Sequence, residues 1–259
     1  MSVLILLPPS EGKAAPRRGQ PLDLEALAFP GLTEARGRVL DALVELAGRD
    51  GAATVLGLGR TQTDLVTLDR RVRTAPAMRA ERLYTGVLYD ALGLTTLSPA
   101  ARRRASTRVA IVSSLFGLLR TGDRVPSYRL SGDVTLPALG PVAGVWRSAL
   151  DPAVREALGT GLLVDLRSTT YSAFWRPTAD LAPRVAAVRV LYEVDGHRQV
   201  VSHFNKATKG RLVRALLEDG RNPRTPAGLA DLVRDLGWQV EQDAPTRTGT
   251  RLNVVVDAV

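Results

Sequence analysis

The chain of 259 residues carries 35 lysines and arginines against 26 acidic residues, a formal charge of +9. With 45% hydrophobic and 24% charged residues it can bury a sizeable core, which excludes a disordered, collagenous or coiled-coil chain. It holds no cysteine and only His197 and His203 as imidazoles, which excludes disulfides, thiolate chemistry, Fe–S clusters and a histidine-rich metal centre. No metal site and no cofactor are expected.

No apolar run approaches the ~20 residues that span a bilayer, so no membrane partner is expected. Residues 3–7 are apolar and no basic segment precedes them, which predicts a first β-strand, not a signal peptide, and a cytoplasmic protein. The strand runs into Pro8-Pro9-Ser10-Glu11-Gly12-Lys13, a loop by its Pro and Gly content. Residues 14–21 continue as irregular chain. Thr33 can cap a helix over 33–47 whose apolar stripe is Val39, Leu40, Leu43, Val44 and Leu46. Residues 52–56 and 61–68 read as short helices joined by a tight hairpin, Gly57-Leu58-Gly59. An amphipathic helix is predicted over 75–92, burying Leu83, Tyr84, Val87, Leu88 and Leu92, and Ser98-Pro99 opens another.

Residues 109–113 form an apolar strand leading into Ser114-Leu115-Phe116-Gly117-Leu118-Leu119-Arg120. Trp146 lies on a short helix, and Asp151-Pro152 begins the next. Residues 162–166 make a strand that ends in Ser168-Thr169-Thr170-Tyr171. Residues 185–194 and 199–204 alternate as strands around Asp195-Gly196, a hairpin signal. Helices over 206–217 and 226–236 and a closing strand at 252–256 complete the chain. The fold class read from this order is α/β (α+β): one domain, a mixed sheet surrounded by helices, expected as a monomer.

Lysine occurs only at Lys13, Lys206 and Lys209 in a chain that otherwise uses arginine. The two differ in charge geometry and in the ability to lose a proton, so these are candidate positions where arginine would not serve. Lys13 and Ser10 sit in a loop after a strand, but the spacing of a phosphate-binding G-x-x-x-x-G-K-[ST] loop is missing. An anion contact and a plain surface turn both fit. The stretch 113–129 delivers Ser114, Arg120, Asp123, Tyr128 and Arg129 beyond a strand's C-terminal end, the usual ligand edge of an open α/β sheet. Arg120 and Asp123 equally fit a pair across a turn.

Ser168 and Tyr171 repeat that theme at a second strand end, and neighbouring strands would bring the two sets into one pocket. Lys206, Lys209 and Arg214 share a broad helix face from which Arg211 points away, suited to phosphate or to solvent. His203 reads as a structural side chain. Gly57 and Gly59, followed by Arg60, fit the hairpin of helix-hairpin-helix modules, in which glycines let backbone N–H groups approach a DNA phosphate. A tight turn between two core helices fits as well.

Taken in order, these blocks carry a resemblance. The chain resembles the YaaA-type peroxide stress proteins in Pro9-Ser10-Glu11-Gly12-Lys13, Leu83-Tyr84-Thr85-Gly86-Val87, Ser114-Leu115-Phe116-Gly117-Leu118-Leu119-Arg120, Tyr128-Arg129-Leu130, Trp146-Arg147, Ser168-Thr169-Thr170-Tyr171 and Lys206-Ala207-Thr208-Lys209-Gly210. The resemblance implies a compact α/β fold, a basic cleft, and double-stranded DNA binding through a helix-hairpin-helix element, here about residues 52–68. It also implies a role in limiting iron-linked oxidative DNA damage. Arg120-Thr121-Gly122-Asp123 departs from the Arg-Pro-Leu-Asp of relatives. Ser168-Thr169-Thr170-Tyr171 lacks the carboxylate of their Ser-x-Glu/Asp-Tyr pattern.

Two functions follow as expectations, ahead of a bare interaction protein. One is non-sequence-specific DNA binding by Gly57, Gly59, Arg60, Lys206, Lys209 and Arg214, steeply salt-dependent through counterion release. The other is an enzyme acting on a phosphorylated or nucleobase-containing small molecule. Its catalytic set would be Lys13, Ser10, Asp123, Tyr128, Lys206 and Lys209, with Glu11, Ser114, Arg120, Arg129, Ser168 and Tyr171 lining an anionic-ligand pocket. The discriminating observation is whether these blocks converge on one concave site away from Gly57.

Overall fold

The structure is a computed structural model that describes residues 3–194, 197–199 and 202–257. In chain order, β1 (Leu4–Leu7) is followed by α1 (Thr33–Ala47), α2 (Ala52–Val55) and α3 (Asp64–Arg70). Next come β2 (Ala77–Arg79), α4 (Ala80–Leu83), α5 (Val87–Leu92), α6 (Pro99–Arg108) and β3 (Val109–Ser113). The middle of the chain adds β4 (Gly117–Arg120), β5 (Arg124–Pro126), β6 (Thr135–Leu136), β7 (Gly140–Pro141), α7 (Val142–Leu158), β8 (Leu163–Asp165) and α8 (Thr169–Ser172). It ends with β9 (Val185–Val194), β10 (His197–Gln199), α9 (Ser202–Asp219), α10 (Pro226–Asp235), β11 (Gln239–Gln242) and β12 (Thr250–Asp257).

The all-apolar strands β1 and β3 are buried throughout, as parallel strands covered on both faces must be. The principal sheet is mixed, in the order β11-β12-β9-β8-β1-β3-β4, with β10 added along β9. The five strands from β12 to β3 are mutually parallel, and β4 and β11 close the edges antiparallel. The fold is therefore mixed α/β. Beside the sheet, α5 packs on α9. A Cβ at Gly210 would stand 2.3 Å from Leu88 O, so only glycine allows that approach. Ser98 caps α6 by accepting from Ala101 N at 3.2 Å, and its hydroxyl donates to Glu218 on α9 at 2.6 Å.

Several elements differ from the sequence expectation for physical reasons. The predicted helix over 75–92 is broken into β2, α4 and α5. Gly86, at φ 93°, turns the chain between the two helices, and Met78 pairs with the distant Val125. The two helices expected around Trp146 and Pro152 are one, α7, with Pro152 inside it. Proline there forgoes one backbone bond, and the helix is held by six buried side chains including Trp146 and Leu150. After β3 the chain reverses at once into β4. Gly117 has φ 70°, and a Cβ on it would fall 2.5 Å from the Trp146 ring. The strand expected over 199–204 is instead the end of β10 and the start of α9. The Asp195-Gly196 turn lies outside the described residues. β11 was unmarked in the sequence.

Candidate functional site

Because β3, β1 and β8 are parallel neighbours, the segments leaving their C-terminal ends share one edge of the sheet. That adjacency joins the two hydroxyl-rich strand ends. Behind β8, Arg167 is buried and fixed. Its Nε and Nη2 donate to Asp165 Oδ1 and Oδ2 at 2.9 and 2.7 Å, and its Nη1 donates to the carbonyls of Tyr171 and Trp175. Burial works to raise the Asp165 pKa, but Arg167 holds the carboxyl below its usual value. This pair borders a cavity of about 550 Å³ lined also by Pro8, Ser168, Thr169, Lys206 and Lys209.

Lys209 reaches across to donate to Leu166 O at 3.0 Å. Burial lowers its pKa against the pull of Asp165. Lys206 is exposed at the same cavity. Arg189 from β9 and Arg251 from β12 add positive charge to the far wall.

A second cluster stands beside this one. The loop after β1 is held against the α4–α5 turn by Ala14 N donating to Leu83 O at 2.8 Å and Thr85 N donating to Gly12 O at 3.2 Å. Lys13 is thereby turned inward. Its Nζ donates to Ser10 O at 2.8 Å and lies 4.2 Å from the Tyr128 ring centroid and 5.7 Å from that of Tyr84. The Tyr128 hydroxyl bonds Ser113 Oγ at 2.8 Å and the Tyr84 hydroxyl at 3.0 Å. Burial pushes both tyrosines above their usual range, so at neutral pH their hydroxyls keep their protons.

Burial lowers Lys13 to about 8; Glu11 and Asp69 oppose the shift, and Arg129 adds to it. The last turn of α3 brings in Asp69, which is fully buried. Its Oδ1 accepts from Arg129 N at 2.7 Å, and its Oδ2 has no hydrogen-bond partner. Burial raises Asp69 to about 7, against the Arg129 amide and the charges of Lys13 and Arg129. Arg129 pairs with Glu11 through Nη1.

The two clusters touch through shared residues. Pro8, which borders the cavity, accepts from the Tyr89 hydroxyl at 2.7 Å, and Tyr89 stacks on Tyr84. Tyr171 is buried, on a helix whose Thr169 and Ser172 face the cavity. Burial raises its pKa, with Tyr128 and Glu11 adding to the shift. Ser114 donates to Leu130 O at 2.6 Å, which secures the chain ahead of α7. Ser10 donates to Gly12 O at 2.6 Å and shapes the loop around Lys13.

Other expected site residues lie elsewhere. Arg120 is opposite Ala110 because β4 runs back along β3, so Arg120 and Asp123 stand at the other end of the strand. The Asp123 carboxylate accepts from Ala28 N and Arg120 N at 3.0 and 2.8 Å. Its placement corrects the expectation of a shared catalytic edge, because an antiparallel return reverses direction. Arg214 does not face the cavity: it donates to Leu92 O, Gly93 O and Thr96, closing the end of α5.

In the hairpin between α2 and α3, the amides of Gly57, Leu58 and Gly59 are taken up by Thr54 O, Ala53 O and Gln62 Oε1. The side chains of Arg60 and His203 lie outside the described residues. The sequence reading passed over Asp69, Arg189 and Arg251. Asp69 had no signal beyond being one acid in a helical run. Among the described residues, no group of three or more His, Asp or Glu is placed to hold a metal ion.

The family model for the peroxide stress protein YaaA matches residues 3–244. The chain belongs to the YaaA peroxide stress protein family. A UPF0246 protein of Streptomyces coelicolor is 49% identical over 261 residues, covering 99% of this chain and 100% of its own. A UPF0246 protein of Corynebacterium efficiens is 41% identical over 241 residues, covering 92% of this chain and 95% of its own. A UPF0246 protein of Corynebacterium glutamicum is 38% identical over 243 residues, covering 93% and 96%. No described helix of this YaaA-family chain is long and apolar enough to cross a membrane.

Proposed function

We propose that this YaaA-family protein serves the peroxide stress response by binding a phosphate-bearing ligand in the cavity behind β8. The carrying observation is that Lys206 and Lys209 line the same cavity as Ser168 and Thr169. Lys209 spends one N–H on Leu166 O and keeps two for a ligand. With Arg167 committed to Asp165 and Arg251 paired with Asp243, Lys206 and Lys209 supply the charge that attracts a dianion. A mononucleotide and a DNA phosphate offer the same chemistry to these groups.

Duplex DNA as the ligand draws support from the charge of +9; a hairpin contact would draw on Gly57, which at φ 64° has open space where a side chain would be. A phosphate clamp at the hairpin would first have to release amides now bonded within it. The cavity needs no such rearrangement.

The test is fluorescence anisotropy of a labelled duplex across a salt series, with AMP as competitor. Lys206→Ala should weaken whichever ligand binds and reduce the salt slope by about one ion; Gly57→Ala/Gly59→Ala should change neither. AMP displacing the duplex indicates a nucleotide-sized site, and failure to displace it indicates a longer DNA footprint. Binding lost in the glycine variant and unchanged by Lys206→Ala would overturn the cavity reading.

A further inference from the structure

Lys13 is unlike the other cations of the chain. Its Nζ lies over the rings of Tyr128 and Tyr84, and it donates to the backbone carbonyls of Ser10 and Glu11 at 2.8 and 3.4 Å. No carboxylate is within ion-pair distance of it among the described residues. Two acids bear on it: Glu11, which is paired with Arg129, and Asp69, which is fully buried with one carboxylate oxygen unpartnered. Arg129 Nε, in the same cluster, is likewise buried without a partner. Buried unpaired polar atoms are costly, and such a concentration marks a site held for chemistry more than for stability.

We propose that Lys13 is a reactive amine that captures the carbonyl carbon of an aldehyde- or ketone-bearing anionic ligand as an imine, with Asp69 moving the protons. The neutral Nζ attacks the carbonyl carbon, forming the C–N bond, and the carbonyl π pair goes to oxygen. Asp69, by way of water, takes one proton from nitrogen and delivers one to oxygen, which gives the carbinolamine. It then delivers a second proton to that hydroxyl, which leaves as water as the nitrogen lone pair closes the C=N bond; the iminium's N–H proton restores Asp69, and no redox partner is needed. Arg129 supplies positive charge beside the amine for the ligand's anionic group. The Tyr84–Tyr128–Ser113 hydroxyl chain, protonated at neutral pH, fixes the ring against which Nζ rests. A lysine near its pKa at neutral pH is a competent nucleophile. An arginine at this position could not serve, since it does not deprotonate.

The inference is independent of the phosphate cavity. With three lysines in the chain, it can be tested residue by residue. Folded protein is treated with glyoxylate and cyanoborohydride, which reduces any imine to a stable carboxymethyl amine, and labelled sites are read by peptide mass spectrometry between pH 6 and 10. Lys13 should label at least tenfold faster than Lys206, with a midpoint near 8, and the preference should vanish in denaturant. Asp69→Asn should lower the plateau rate of Lys13 labelling at least tenfold. Lys206→Ala should leave it unchanged, which keeps this result separate from failure of the phosphate reading. Equal labelling of Lys13 and Lys206 in the folded protein, or an unchanged plateau in Asp69→Asn, would overturn the proposal. If Asp69→Asn does not fold, the parent protein's Lys13-to-Lys206 ratio decides alone.

Discussion

Arg36 shows what this chain does with a cation it cannot hydrate. It is fully buried, and its guanidinium donates to the carbonyls of Ala28, Phe29, Phe116 and Leu118. Burial lowers its pKa to about 10 against the support of Asp123. Arg36→Met would leave those carbonyls without their donor and Asp123 without a supporting charge, so a loss of about 3–5 kcal/mol is expected by urea unfolding, the range for breaking a buried charged network. A loss below about 1 kcal/mol would contradict this role.

Lys13 and Asp69 write opposite signatures on the pH dependence of stability. Asp69 titrates near 7 when folded, above its ordinary value of 3.8. The folded state therefore holds the extra proton, and stability falls as pH rises from about 4 to 7. Lys13 titrates near 8 when folded, below 10.5. The unfolded state holds that proton, and stability rises from about pH 8 to 10.5. Each limb has a limiting slope of about 1.4 kcal/mol per pH unit. In denaturant titrations across pH, Asp69→Asn should flatten the lower limb and Lys13→Met the upper one. A variant that keeps its limb removes that residue from the account.

At the scale of elements, the crossing of α5 and α9 controls where Lys206 and Lys209 stand. Gly210 sits at that crossing, and a methyl group there would overlap Leu88 O. Gly210→Ala should cost about 1–3 kcal/mol, the usual penalty of overpacking, read as a lower thermal midpoint. A midpoint unchanged within error would mean that the crossing relaxes freely.

Much of this level was legible. The apolar runs marked β1, β3 and β8, and Ser98-Pro99 marked the start of α6. The break of the 75–92 segment was not legible, because its apolar spacing suits a helix while the pairing of Met78 with Val125 is a long-range event. Nor was the union of two helices across Pro152, since proline signals an ending unless tertiary packing outweighs it.

At the scale of the whole molecule, three parallel neighbours turn separate motifs into one edge. The loop holding Lys13 and the Ser168 block were readable as polar groups after strands. Their meeting depends on the β3-β1-β8 order, which no local pattern encodes. The same topology removes Arg120 and Asp123 from the edge, because β4 runs backward. Asp69 arrives from the helix after the glycine hairpin, so the segment resembling a DNA-binding module contributes its far end to the Lys13 cluster.

Hydrogen exchange with and without a saturating phosphate-bearing ligand, a short duplex in one arm and AMP in the other, tests the central claim most directly. Protection at residues 166–172 and at the start of α9, with residues 52–62 unchanged, is the predicted result. Protection confined to residues 52–62 would contradict it and return the function to the hairpin.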